Sequence, residues 1–187
     1  MLQKTPGNPS PPPGNRGLVS IFTGDGKGKT TAAIGTAVRA AGHGLRVFIV
    51  FFAKGDQFFN GEAKVLSRLP NVTIASYKHN GWIDKENVSP EDRELARAAL
   101  SSAREAMLSG NYDLIVLDEI NIAINYNLVS LDEMVKFIND KPANVELILT
   151  GRYAEPELVQ MADLVTEMLM VKHPYTSGVK ARKGIDY

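Results

Sequence analysis

The sequence predicts a doubly wound α/β domain, a mostly parallel sheet of about six strands with helices on both faces. Two observations carry this. Short, nearly continuous runs of β-branched and aliphatic residues recur from Leu18 to Met170, as in strands covered on both sides. Between them lie segments with apolar residues at helical spacing, and strand–helix alternation builds parallel sheets. A glycine-rich turn between the first strand and the first helix adds a third observation.

The elements follow in order. Residues 1–16 are rich in proline and nearly devoid of apolar side chains, so they predict a mobile tail that cannot offset its ordering entropy. Residues 17–187 then form one domain. Leu18–Phe22 is the first strand, and Thr31–Ala41 a helix that Gly42 is placed to end. Further strands are expected at Arg46–Phe52, Val72–Ala75, Asp113–Leu117, Val145–Leu149 and Leu164–Met170. The clearest helix opens with Ser89 as N-cap and Pro90 at the first helical position, with Glu91 and Asp92 favouring the positive first turn. Leu95, Ala99, Ala103, Ala106 and Met107 form its apolar stripe, and Gly110 supplies the stop. Shorter helices are expected over 61–68, 131–139 and 155–162.

Composition excludes several classes of function. Lys plus Arg and Asp plus Glu number 21 each, so charge makes no case for nucleic acid or an anionic membrane as partner. There is no cysteine, which removes disulfides, thiolate metal sites and thiol nucleophiles together. No apolar run approaches the ~20 residues of a membrane span. A signal-peptide core is also missing, and the expectation is a soluble cytoplasmic protein.

The turn Gly24-Asp25-Gly26-Lys27-Gly28-Lys29-Thr30 has the composition of a P-loop. Its glycines let backbone N–H groups approach phosphate oxygens, and the following helix N-terminus adds partial positive charge. Lys29 can reach the outer phosphates, and the Thr30 hydroxyl can ligate Mg²⁺. The fold expected is therefore a P-loop NTPase-like (RecA-like) domain. Thr23 stands where the usual spacing puts the first glycine, so the cradle is reshaped. Leu114–Leu117 end in Asp118-Glu119, the place from which P-loop proteins aim an acid at magnesium. The pattern does not decide which acid that is, and Glu119 polarising a water would make an ATPase. His43, His79 and His173 lack metal-ligand spacing. Trp82, the only tryptophan, lies in a polar loop, either as a core anchor or as a flat surface for a planar ligand. Lys54, Arg152, Lys172, Lys180, Arg182 and Lys183 follow expected strands or lie near the C-terminus, where some could neutralise phosphate.

At these residues the chain resembles the P-loop type of cob(I)alamin (corrinoid) adenosyltransferases. The resemblance runs from Gly17 to Tyr187. It includes Phe22–Ala33, Arg39–Gly44, Asn60-Gly61-Glu62, Val116–Glu119, Thr150-Gly151-Arg152 and Ala162–Met168. The ending, Val171–Pro174 and Gly178–Tyr187, is its most family-specific part. It implies transfer of the 5′-deoxyadenosyl group of ATP to the cobalt of a reduced corrinoid (cob(I)alamin, cobinamide or cobyrinic acid a,c-diamide), with tripolyphosphate released. It implies ATP contacts by Gly24, Asp25, Gly26, Lys27, Gly28, Lys29, Thr30, Thr31 and Arg39, with Lys29 and Lys27 stabilising the leaving group. Thr30 and Glu119 would ligate Mg²⁺, or Mn²⁺ in its place. Trp82 and Asn80 would sit on the corrinoid side. A homodimer and a flavin-dependent reductant protein are the implied partners. Asp25 stands where some relatives have asparagine, and Asn80 where some have a second aromatic. The other readings of the same residues are a P-loop ATPase or small-molecule kinase, and a non-catalytic nucleotide-dependent corrinoid carrier.

Overall fold

In the computed structural model, which describes residues 16–52, 61–76 and 85–186, the central strands send alternate side chains into two separate cores. The strands are β1 (Val19–Thr23), β2 (Val47–Phe51), β3 (Val72–Ser76), β4 (Leu114–Asp118), β5 (Glu146–Thr150) and β6 (Leu164–Glu167). Every pairing is parallel, in the order β3-β2-β4-β5-β1-β6. Phe48, Val50, Ile115, Leu117, Leu147 and Leu149 point to one core, whereas Val47, Ile49, Leu114, Val116 and Ile148 point to the other. That alternation is the two-residue strand period acting on runs that are apolar throughout.

Helices cover both faces. Helix α1 (Lys29–Gly42) and α2 (Gly61–Leu66) pack on the Val47 side, through Ala33, Ile34, Ala37, Ala63 and Leu66. The opposite face receives α3 (Pro90–Leu108), α4 (Ile120–Asn125), α5 (Leu131–Asn139) and Leu158 of α6 (Pro156–Met161). Two of these helices start in capping boxes. Ser89 Oγ accepts from Asp92 N–H at 3.1 Å while the Asp92 carboxylate accepts from Ser89 N–H at 2.8 Å; Ser130 and Glu133 repeat the arrangement. Each such cap stabilises its helix by about 1 kcal/mol.

Three differences from the sequence reading have physical causes. Helix α1 is not stopped by Gly42, which is its last residue. The chain leaves the helix at Gly44 (φ 81°), where Gly44 N–H donates to Ala41 O and Leu45 N–H to Ala40 O. Helix α4 was not expected, because its six residues are too few to show a helical period after an aliphatic strand. The last strand is not covered on both faces: β6 stops at Glu167 and all four of its residues are exposed at the free edge beside β1. The proline-rich segment falls almost wholly outside the described residues. Its last residue, Arg16, pairs with Asp163 at 3.5 Å.

Beneath β2 and β4, at the end of the sheet opposite the glycine-rich turn, Asp113 accepts from Arg46 N–H at 2.8 Å, from Nε at 3.1 Å and from a terminal guanidinium nitrogen at 2.9 Å. The Arg46 side chain holds the Asp113 carboxyl below the usual aspartate range. A depressed native pKa means that the stabilisation is complete above the unfolded-state value and fades as pH falls through the native one. Asp113→Asn is therefore expected to lower the urea midpoint at neutral pH. The difference from wild type should shrink progressively below the ordinary aspartate pKa, as measured by unfolding curves at several pH values.

Candidate active site

All six strands run parallel, so the loops after β1, β4 and β5 share one end of the sheet, with β5 between the other two. The glycine-rich turn after β1 is shaped by close approach. A Cβ on Gly24 (φ 91°) would lie 2.6 Å from Met168 O, and one on Gly26 2.7 Å from both Met168 O and Leu169 O. Gly26 N–H donates to Met168 O at 2.6 Å, and Met168 N–H to Thr23 O at 2.8 Å. Thr23 ends β1, and the left-handed residue is its neighbour Gly24, so the turn begins one position later than the usual spacing puts it. Gly28 (φ 113°) then caps α1. Among the described residues the Lys27 and Gly28 N–H groups take no partner.

Lys29 lies inside this turn. It is 8% exposed, and its ammonium donates to Gly24 O and Gly26 O, both at 2.7 Å. An ammonium has three N–H bonds, so one remains for a phosphate without surrendering either carbonyl. Burial pulls the Lys29 pKa below its ordinary value; Glu119, Asp25 and Asp118 oppose that shift, and Arg152 adds to it. Those four groups therefore converge on Lys29 from the ends of β1, β4 and β5.

The carboxylate of Asp25, unhelpful beside a polyanion, has a partner. Arg152, two residues after β5, reaches it at 3.6 Å and donates to its carbonyl at 3.3 Å. The two acids after β4 are held differently. Asp118 is fully buried and accepts from Thr150 Oγ1 at 2.7 Å, and the same Oγ1 accepts from Glu119 N–H at 2.9 Å. Glu119 is half-buried in the left-handed region (φ 63°), an uncommon place for a side-chain-bearing residue. Thr150 thus fixes the turn that presents Glu119 while keeping Asp118 inside. Thr30 and Thr31 occupy the second and third positions of α1, with Thr30 half-buried. The Thr30 hydroxyl and the Glu119 carboxylate are hard oxygen donors, and Glu119 is the more accessible of the two acids. That set fits a magnesium ion that takes its other ligands from phosphate and water.

Lys27 leaves the turn outward and pairs with Asp186 near the C-terminus. Arg39 lies in the last turn of α1, roughly 15 Å along the helix from Lys29 at 1.5 Å per residue, outside this cluster. Asn80 and Trp82 lie outside the described residues. Thr150 and Asp186 were not singled out as site residues from sequence, and Arg152 only as one of several basic residues that could neutralise phosphate. A polar residue ending an aliphatic strand, the signal that marked Asp118, was equally available at Thr150.

A phosphate loop facing an acidic strand end across one intervening parallel strand defines a P-loop NTPase-like domain. Solved structures agree on this fold. A KaiC-like protein of Pyrococcus horikoshii superposes with a TM-score of 0.54 over 81% of this chain and 73% of its own, at 18% identity. The cytoplasmic domain of EssC does so at 0.53 over 91% and 34%, at 14% identity. The family described as ATP:corrinoid adenosyltransferase BtuR/CobO/CobP matches residues 15–187. A corrinoid adenosyltransferase of Escherichia coli is 36% identical, the match covering 92% of this chain and 86% of the relative. Those of Pseudomonas aeruginosa (36%; 92% and 84%) and Salmonella typhimurium (37%; 92% and 86%) are equally similar. The chain belongs to the ATP:corrinoid adenosyltransferase family and is a transferase of that family.

Thr150→Val is expected to lower the unfolding free energy by about 1–3 kcal/mol, because a buried carboxylate and an N–H each lose a partner. Thr150→Ser should keep most of it. Chemical denaturation of the three proteins checks this.

Proposed function

We propose that this chain transfers the 5′-deoxyadenosyl group of ATP to the cobalt of a reduced corrinoid and releases tripolyphosphate. The observation that carries the reading is the phosphate loop, with Lys29 buried in it and Glu119 opposite, in a chain of this family. In this reaction the Co(I) electron pair forms a bond to the ribose 5′-carbon. The C5′–O bond breaks, and its electrons leave on the triphosphate. The nucleophile is the corrinoid itself, so the absence of a thiol from the sequence is no obstacle.

What remains for the protein is orientation of the 5′-carbon and stabilisation of charge gathering on the leaving group. Lys29 supplies a buried cation with an N–H to spare. Lys27 and the unpartnered loop N–H groups extend the cradle outward. Thr30 and Glu119 would hold Mg²⁺, or Mn²⁺, which when bound neutralises phosphate charge. Trp82 and Asn80 belong to the corrinoid side in this proposal, whereas Arg39, in the last turn of α1, lies outside the triphosphate cradle. We also place a homodimer and a flavin-dependent reductant protein in the working system. The free β6 edge supports a second copy: Leu164, Val165, Leu169, Met170 and Val171 are all exposed along it and just beyond it. Among the described residues no helix is long and apolar enough to cross a membrane. Cytoplasmic location remains part of the proposal and rests on the lack of cysteine.

Incubation with ATP, Mg²⁺ and chemically reduced cobalamin is expected to yield light-sensitive adenosylcobalamin and tripolyphosphate in equal amounts. ADP as the product would instead assign an ATPase or kinase, and tight corrinoid binding without turnover a carrier. Lys29→Ala should raise the barrier by about 2–4 kcal/mol, the scale of losing one preorganised charge-stabilising donor. Wild-type turnover in a folded Lys29→Ala protein would remove Lys29 from the mechanism.

A further inference from the structure

The C-terminal arm, residues 178–186, returns to the phosphate loop, and Asp186 is the joint. One of its carboxylate oxygens pairs with Lys27 Nζ, from a residue 159 positions away. The other accepts from Arg182 N–H at 2.8 Å and from Arg182 Nε at 3.0 Å. The Asp186 side chain is 12% exposed, against 47% for Lys27 and 56% for Arg182. The carboxylate therefore lies underneath and the two cations outside it. Two positive charges on one negative leave this trio with net positive charge.

An Arg–Asp pair four residues apart is ordinarily a surface contact of small worth. The third member changes its meaning, because Lys27 belongs to the turn that cradles phosphate. Arg182 spends only Nε on Asp186. Its two terminal nitrogens make no hydrogen bond to any described residue. Those nitrogens present a planar fork of N–H donors, the geometry that matches phosphate oxygens two at a time. A reaction that expels a triphosphate needs such donors beyond the single buried lysine. Arg152, the other guanidinium at the loop, spends both its Nε and a terminal nitrogen on Asp25.

We propose that Arg182 is a phosphate-binding residue delivered by the C-terminal arm, and that Asp186 is the positioning residue that fixes it beside Lys27. The proposal rests on reading the loop as a triphosphate cradle. Its ligand is the triphosphate chain, whether of ATP or as the released product. Inorganic tripolyphosphate is the probe.

Calorimetry on the full chain tests it. Arg182→Ala is expected to weaken tripolyphosphate binding about tenfold with an unchanged thermal midpoint, and Arg182→Lys to recover part, since a point charge replaces the fork. The sign at Asp186 is the sharper readout. Removing a carboxylate near a polyanion tightens binding by charge alone, whereas loss of positioning weakens it. Asp186→Ala is expected to weaken binding at least threefold or so, and to weaken it no further in an Arg182→Ala background, where only the charge effect is left. In the wild-type chain, tripolyphosphate is expected to slow tryptic cleavage after Arg182 and Lys183. The proposal is overturned if Arg182→Ala binds as wild type does, if Asp186→Ala binds more tightly, or if the tryptic sites are not protected. Lys29→Ala separates the two levels. Binding lost there but intact in Arg182→Ala overturns the arm's role and leaves the cradle standing; no binding by the wild-type chain overturns both.

Discussion

The phosphate loop lies against the segment that follows β6 so closely that a side-chain carbon at Gly24 or Gly26 would strike the Met168 or Leu169 backbone. The rest of the site depends on this contact. It commits Gly26 N–H to Met168 O, and the Gly24 and Gly26 carbonyls face the interior, where Lys29 finds them. Glycine is needed here because backbone meets backbone, and a flexible side chain has no room to turn aside. The same contact ties the loop to the last part of the chain, so the C-terminal arm and the nucleotide cradle form one structure.

Charge in the site is distributed by the same logic. Lys29 rests on carbonyls, Lys27 and Arg182 on Asp186, and Arg152 on Asp25. Each cation is held by an acceptor of the protein's own, which keeps several positive groups together where their mutual repulsion would otherwise open the loop. A polyphosphate arriving there exchanges with or adds to those acceptors. The favourable energy is then the difference between two sets of charge-assisted bonds, a difference that grows as the leaving group gains negative charge. A site of this kind favours the transition state over the ground state without any side chain reacting.

Much of this was legible in the sequence because it depends on local pattern. The strand, turn and helix around Lys29 and Thr30 follow from apolar runs, glycines and a known phosphate-binding spacing. The Ser89 cap follows from the run Ser89-Pro90-Glu91-Asp92, and helix α5 lies where its pattern placed it. What escaped depends on contacts distant in sequence. The pairing of Asp25 with Arg152 spans 127 positions, and that of Lys27 with Asp186 spans 159, and no period or motif encodes either. The exposure of β6 escaped for a related reason: Leu164-Val165 reads like a buried strand, and only the strand order puts it at an edge. Thr150 shows a third case. Its role comes from lying between β1 and β4, which the order of strands along the chain does not give.

The most direct measurement is calorimetric titration of ATP into Gly26→Ala. The expected result is ATP affinity reduced at least tenfold or so, with circular dichroism and thermal midpoint near those of wild type, because one methyl group separates the loop from its support without touching either core. Unaltered ATP affinity in a folded Gly26→Ala protein would contradict the dependence of the cradle on that contact.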